Sequence, residues 1–127
     1  MKITEASILV VDDEPELVEI MTAWLEGAEC KRVIAAESGK AALALLELTG
    51  VDLLVTDINM PAMDGITMIR TIAKAGFSMP IIIFVSGQNY NEAELRQLGA
   101  RAFLSKPVRR TEFLAAIENA LTVRAER

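Results

Sequence analysis

The chain has 127 residues, 52% of them hydrophobic, and a formal net charge of −5. That length suits one domain with one core, and the apolar content excludes a disordered chain. With no histidine and one cysteine, Cys30, it has no Ser-His-Asp or Cys-His catalytic unit, His-ligated zinc site or internal disulfide.

The acidic balance makes this domain alone a poor partner for nucleic acid. No apolar run reaches the roughly 18 residues of a membrane span. A lone cysteine fits a reducing cytoplasm and reads as a small packed residue.

Ser7–Val11 is a continuous apolar run, as in a strand covered on both faces. Leu17, Ile20, Met21, Trp24 and Leu25 then recur at helical spacing. Asp13 and Glu16 suit the start of that helix, Pro15 its first turn and Gly27 its stop. Trp24 is expected to pack in this helix, away from any site at the strand ends. Arg32–Ala36 reads as the second strand, and Ser38 caps a helix carrying Ala42, Leu43, Leu45 and Leu46. The third strand is predicted over 52–56.

Ile66, Ile69, Ile72 and Ala73 make a third helix, stopped near Gly76. The most apolar strand covers 81–85. A weak, polar fourth helix spans 91–98, and a short fifth strand covers 102–104. Thr111 is expected to cap a last helix carrying Phe113, Leu114, Ile117 and Leu121. Five strands, each followed by a helix, predict a doubly wound α/β domain with a parallel sheet.

Such sheets gather functional residues at the carboxyl ends of their strands. There the sequence places Asp12 and Asp13, then Asp57 and Asn59, then Ser86, then Lys106 before Pro107. Each alone has an ordinary reading as a turn residue, a helix start or a solvated surface group. Their convergence from four strands is harder to explain that way. Two carboxylates about 4 Å apart repel by about 1 kcal/mol in water and about 4 kcal/mol at an effective dielectric of 20. A hard, oxygen-liganded cation such as magnesium, together with the Lys106 ammonium, would compensate.

Val11-Asp12-Asp13-Glu14-Pro15, the run from Asp57-Ile58-Asn59-Met60-Pro61 to Asp64-Gly65, Val85-Ser86-Gly87 and Phe103-Leu104-Ser105-Lys106-Pro107 resemble the receiver domain of two-component response regulators. The resemblance covers nearly the whole chain. It implies a flavodoxin-like (βα)5 fold of strand order 2-1-3-4-5, in one domain over residues 1–127. The core would be about 5–122, with 123–127 as a tail or the start of a linker.

The resemblance implies a signalling switch, not an enzyme acting on external substrates. Asp57 would accept a phosphoryl group from a sensor histidine kinase or a histidine phosphotransfer protein. Asp12, Asp13, Asp57 and the Asn59 backbone carbonyl would hold Mg2+, for which Mn2+ is expected to substitute. Lys106 and Ser86 would meet the phosphoryl oxygens, and Phe103 would turn inward behind Ser86. The bond before Pro107 would be cis. Asn59 and Gln88 would flank the attack path.

The output would pass through helix four, strand five and helix five to an effector domain, a target protein or a second copy. Arg96, Arg101, Arg109 and Arg110 lie on that face. Two other readings are a magnesium-dependent aspartyl-phosphate phosphatase and an inactive receiver-like interaction module. The phosphatase typically has an acidic residue where Asn59 stands, and the inactive module has usually lost an acid that this chain keeps.

Overall fold

A computed structural model describes residues 1–87 and 89–125. The elements are β1 (Ser7–Val11), α1 (Pro15–Gly27), β2 (Arg32–Ala36), α2 (Gly39–Leu48), β3 (Leu53–Asp57), α3 (Gly65–Ala75), β4 (Ile81–Ser86), α4 (Glu92–Gln97), β5 (Ala100–Ser105) and α5 (Arg110–Ala125). A short 3-10 turn, Ile3–Glu5, precedes β1. All strand pairs are parallel, in the order β2-β1-β3-β4-β5. This is the expected flavodoxin-like sheet.

Strand alternation divides the core into two layers. On one face Ile8, Val10, Leu53, Val55, Ile81, Ile83 and Val85 pack against Met21 and Leu25 of α1 and Phe113, Ile117 and Leu121 of α5. On the other, Leu9, Val11, Leu54, Ile82 and Phe84 meet Ala42 of α2, Met68, Ile69 and Ile72 of α3, and Leu95 of α4. The central strands β3 and β4 are buried along their whole length. That explains the apolar runs Leu53-Leu54-Val55 and Ile81-Ile82-Ile83-Phe84-Val85 within them. Full burial of one such side chain contributes about 1.5–3 kcal/mol.

Local chemistry sets most boundaries. Pro15 opens α1, where its missing N–H removes no helical bond. Ser38, Asp64 and Asn91 accept from Ala41, Thr67 and Glu94 N–H as side-chain caps of α2, α3 and α4. Gly76 ends α3 with a positive φ of 77°.

Several boundaries differ from the sequence expectation. The strand β3 is shifted by one residue so that Asp57 ends it, β4 extends to Ser86, and α4 is shorter by one residue at each end. The helix α1 is capped at Glu14 rather than Asp13, and Glu14 makes no side-chain capping bond. The helix α5 begins at Arg110, with Phe113 N–H donating to Arg109 O at 2.9 Å, so Thr111 lies in its first turn and is not the cap. The strand β5 runs from Ala100 to Ser105, longer than the predicted 102–104. As an edge strand it buries only Ala100 fully, which weakens its apolar signature.

The helix α5 continues to Ala125, into the segment expected as a tail. The remainder of that expectation, and Gln88, lie outside the described residues. Among the described residues no helix is long and apolar enough to cross a membrane.

Candidate functional site

The register brings the chemistry to one edge. Val11 pairs with Thr56, Asp57 with Val85, and Ser86 with Ser105. Asp12, Asp57, Ser86 and Lys106 therefore leave neighbouring strands at nearly the same height. This is the carboxyl edge, at the switch between β1 and β3.

Asp12 is fully buried, and Asp57 and Ser86 are 4% and 2% exposed. Ion-forming groups are rarely buried this deeply without a partner. One oxygen from each of Asp12, Asp13 and Asp57 lies within 4.8 Å of the others. Asp12 Oδ1 accepts the Glu14 N–H at 2.9 Å. Asp12 Oδ2 is 3.1 Å from Lys106 Nζ but off the line of a hydrogen bond, and it has no hydrogen-bond donor. A buried carboxylate oxygen in that condition, beside two more carboxylates, fits a hard divalent cation.

Asp57 is held on both oxygens. Its Oδ1 accepts the Asn59 N–H at 3.2 Å and its Oδ2 accepts from Lys106 Nζ at 3.1 Å. Thr56 Oγ1 donates to the Asp57 carbonyl at 2.9 Å. The following loop is tied back by Gly65 N–H, which donates to Ile58 O at 2.8 Å. A Cβ on Gly65 would stand 2.2 Å from the Asp57 carbonyl oxygen, so the close approach requires glycine.

Electrostatics separates the groups. Burial raises the Asp12 pKa, opposed by the Glu14 N–H and by Lys106. Burial works against the Lys106 charge, but the hydrogen bond to Asp57 and the charges of Asp12 and Asp57 outweigh it, holding the ammonium above its ordinary value. Lys106 N–H also donates to Ser86 O at 3.0 Å, and the Lys106–Pro107 bond is cis as expected.

Ser86 Oγ receives Asn59 Nδ2 at 3.5 Å, a long contact across the site. Phe103 is partly buried on β5 and stacks on Tyr90, with ring centroids 5.5 Å apart. The Arg96 guanidinium sits 4.9 Å from the centre of the Phe103 ring. Asp12, Asp13, Asp57, Asn59, Ser86 and Lys106 thus gather at one edge, while Phe103 lies to one side behind the β4–α4 connection.

Two features were missed in the sequence. Glu14 reaches Lys106, with Oε2 3.2 Å from Nζ; its place directly after Asp12 and Asp13 was the available signal. Trp24 lies in α1 as expected and packs on Phe113 with ring centroids 5.5 Å apart. It also lines a groove of about 1010 Å³ that Asp13, Glu14, Lys106 and Pro107 line too. Spacing along one helix could not reveal a groove shared with Lys106 and Pro107.

Residues 8–118 match the family model for the response regulator receiver domain. The chain belongs to the response regulator receiver family. It is 37% identical over 114 residues to response regulator GtcR of Aneurinibacillus migulanus, covering 88% of this chain and 46% of that protein. It is 36% identical over 117 residues to the transcriptional regulatory protein GlrR of Escherichia coli K12, covering 91% of this chain and 26% of that one. The receiver thus spans less than half the length of these two relatives. The chemotaxis protein CheY4 of Vibrio cholerae superposes with a TM-score of 0.81 at 24% identity, over 91% of this chain and 98% of that one. This receiver has the signalling fold of two-component systems, whose receivers work with histidine kinases and effector domains and bind Mg2+ at an acidic pocket.

Proposed function

We propose that Asp57 is the phosphoacceptor of this receiver. The observation that carries the reading is the placement of a nearly buried Asp57 between the Lys106 ammonium, at 3.1 Å, and the carboxylates of Asp12 and Asp13. Phosphoryl transfer asks for alignment and charge neutralisation more than covalent assistance. Asp57 supplies an ionised oxygen that bonds to phosphorus while the bond from phosphorus to the donor histidine nitrogen breaks. The product is an acyl phosphate that water can later hydrolyse.

Lys106 neutralises one phosphoryl oxygen, and the Ser86 hydroxyl donates to another. Asp12, Asp13, Asp57 and the Asn59 carbonyl would hold Mg2+, with Mn2+ as a substitute. When bound, the metal supplies further positive charge for the phosphoryl oxygens. Asn59 flanks the acceptor and is suited to govern access of water.

Phosphorylation draws Ser86 toward the phosphoryl group, and Phe103 follows inward, changing the face of α4, β5 and α5. With only six helical residues and Leu95 as its one buried side chain, α4 is the least anchored helix. Arg96, Arg101, Arg109 and Arg110 supply positive charge for an effector domain, a target protein or a second copy. Chemistry is confined to phosphorylation and dephosphorylation of the domain itself, in the cytoplasm.

The test is mass measurement after incubation with magnesium and acetyl phosphate. One hydroxylamine-labile phosphoryl group is expected, and it should be missing from Asp57→Asn. Turnover of unrelated phosphate esters would point instead to a phosphatase.

A further inference from the structure

The ammonium of Lys106 touches three carboxylates: Asp12 at 3.1 Å, Asp57 at 3.1 Å and Glu14 at 3.2 Å. Asp12 and Asp57 are buried and fixed at strand ends. The Glu14 side chain is 61% exposed. An exposed ion pair is worth little and breaks at little cost. Glu14 also holds the N-cap position of α1, where a side chain ordinarily accepts from the helix, yet it makes no such bond. Its backbone is pinned by Asp12 Oδ1 at 2.9 Å, and its carboxylate reaches across to Lys106 instead.

We propose that Glu14 is a positioning residue that occupies, on Lys106, the place a phosphoryl oxygen takes during transfer. The inference rests on the reading of Asp57 as phosphoacceptor. Lys106 must turn one contact over to the incoming anion, and Glu14 is the contact that yields. Until then it keeps Lys106 at the mouth of the site and competes with every anionic donor for it. Charge and geometry match, since a carboxylate oxygen and a phosphoryl oxygen both accept at the same ammonium.

Glu14→Gln removes the competing charge with little change in shape. Glu16→Gln is the charge control: Glu16 lines the same groove, while the ion pairs of Lys106 among the described residues are with Asp12, Glu14 and Asp57. The full chain is treated with acetyl phosphate at saturating magnesium. Glu14→Gln should raise the second-order rate of Asp57 phosphorylation about threefold or more. The gain should lie in a lower KM, and affinity for beryllofluoride, a phosphoryl mimic, should rise in parallel. Glu16→Gln should match wild type.

A Glu14→Gln protein that is no faster than wild type overturns the placeholder role. So does an equal gain from Glu16→Gln, which would mean a general effect of negative charge. Wild-type protein that takes no phosphoryl group on Asp57 overturns the underlying reading, and the role of Glu14 with it.

Discussion

Lys106 Nζ lies 3.1 Å from Asp57 Oδ2, although 49 positions separate the two residues in the chain. The distance places a permanent positive charge on the oxygen that the proposed reaction must keep ionised. Lys106→Met should slow phosphorylation of Asp57 by about 100-fold, the scale of losing one preorganised electrostatic donor. It should also tighten Mg2+ binding, because the cation no longer shares the pocket with an ammonium. Phosphorylation kinetics and a calorimetric magnesium titration check both.

Asp12 is fully buried, with one oxygen lacking a hydrogen bond. Asp12→Asn should therefore stabilise the metal-free protein by about 1–2 kcal/mol, a change of the scale set by burying an imperfectly satisfied polar group. The same variant should lose most of the stabilisation that wild type gains from Mg2+. Thermal melts with and without magnesium measure both effects.

The pH dependence follows from the same group. Asp12 has its pKa raised above the ordinary 3.8 by burial. Between the unfolded and folded values the native state binds more protons than the unfolded state, so this contribution to stability falls as pH rises. Comparing denaturant midpoints of wild type and Asp12→Asn without metal should show wild type losing ground as pH climbs above about 4. Lys106, also raised, acts with the same sign on the alkaline side. Its stabilisation is complete below the unfolded lysine value of about 10.4 and is lost as pH rises toward the folded value.

Gly65 stands where a Cβ would come within 2.2 Å of the Asp57 carbonyl oxygen. That neighbour is backbone and cannot swing aside. Gly65→Ala should cost about 1–3 kcal/mol of stability, the range for overpacking, and should slow phosphorylation by displacing the loop after Asp57. Urea unfolding and acetyl phosphate kinetics report the two effects. By contrast, Gly27→Ala has open space around its Cβ and should leave phosphorylation unchanged.

Arg96 and Tyr90 hold the Phe103 ring from the β4–α4 side. An exposed cation–π contact is worth about 0.5–1 kcal/mol. Arg96→Ala should destabilise by no more than that and should broaden or shift the Phe103 ring resonances in NMR spectra. Unchanged resonances would show that the guanidinium does not restrain the ring.

The alternation of strands and helices and the identity of the strand-end residues were legible from local chemistry, while the strand order came from the resemblance to the receiver family. Apolar runs over 7–11 and 81–85 read as strands buried on both faces, and their carboxyl ends mark the site. The cap at Ser38 and the stop at Gly76 were equally plain, because each acts through its own neighbouring backbone, whereas Asn91 was read as the start of a helix and is its cap. Thr111 misled because threonine suits a cap, yet the first helical carbonyl belongs to Arg109. That choice depends on where the chain leaves the Lys106–Pro107 corner.

The sequence by itself determined which carboxylates, hydroxyl and ammonium would be available, because strand and helix periodicities assign them to one edge of the sheet. Only the tertiary structure decided that Glu14 shares Lys106 with Asp12 and Asp57, that Trp24 borders the same groove, and that Arg96 and Tyr90 flank Phe103. These are contacts between residues far apart in the chain. Their distances depend on helix tilt and strand register, which no local pattern encodes.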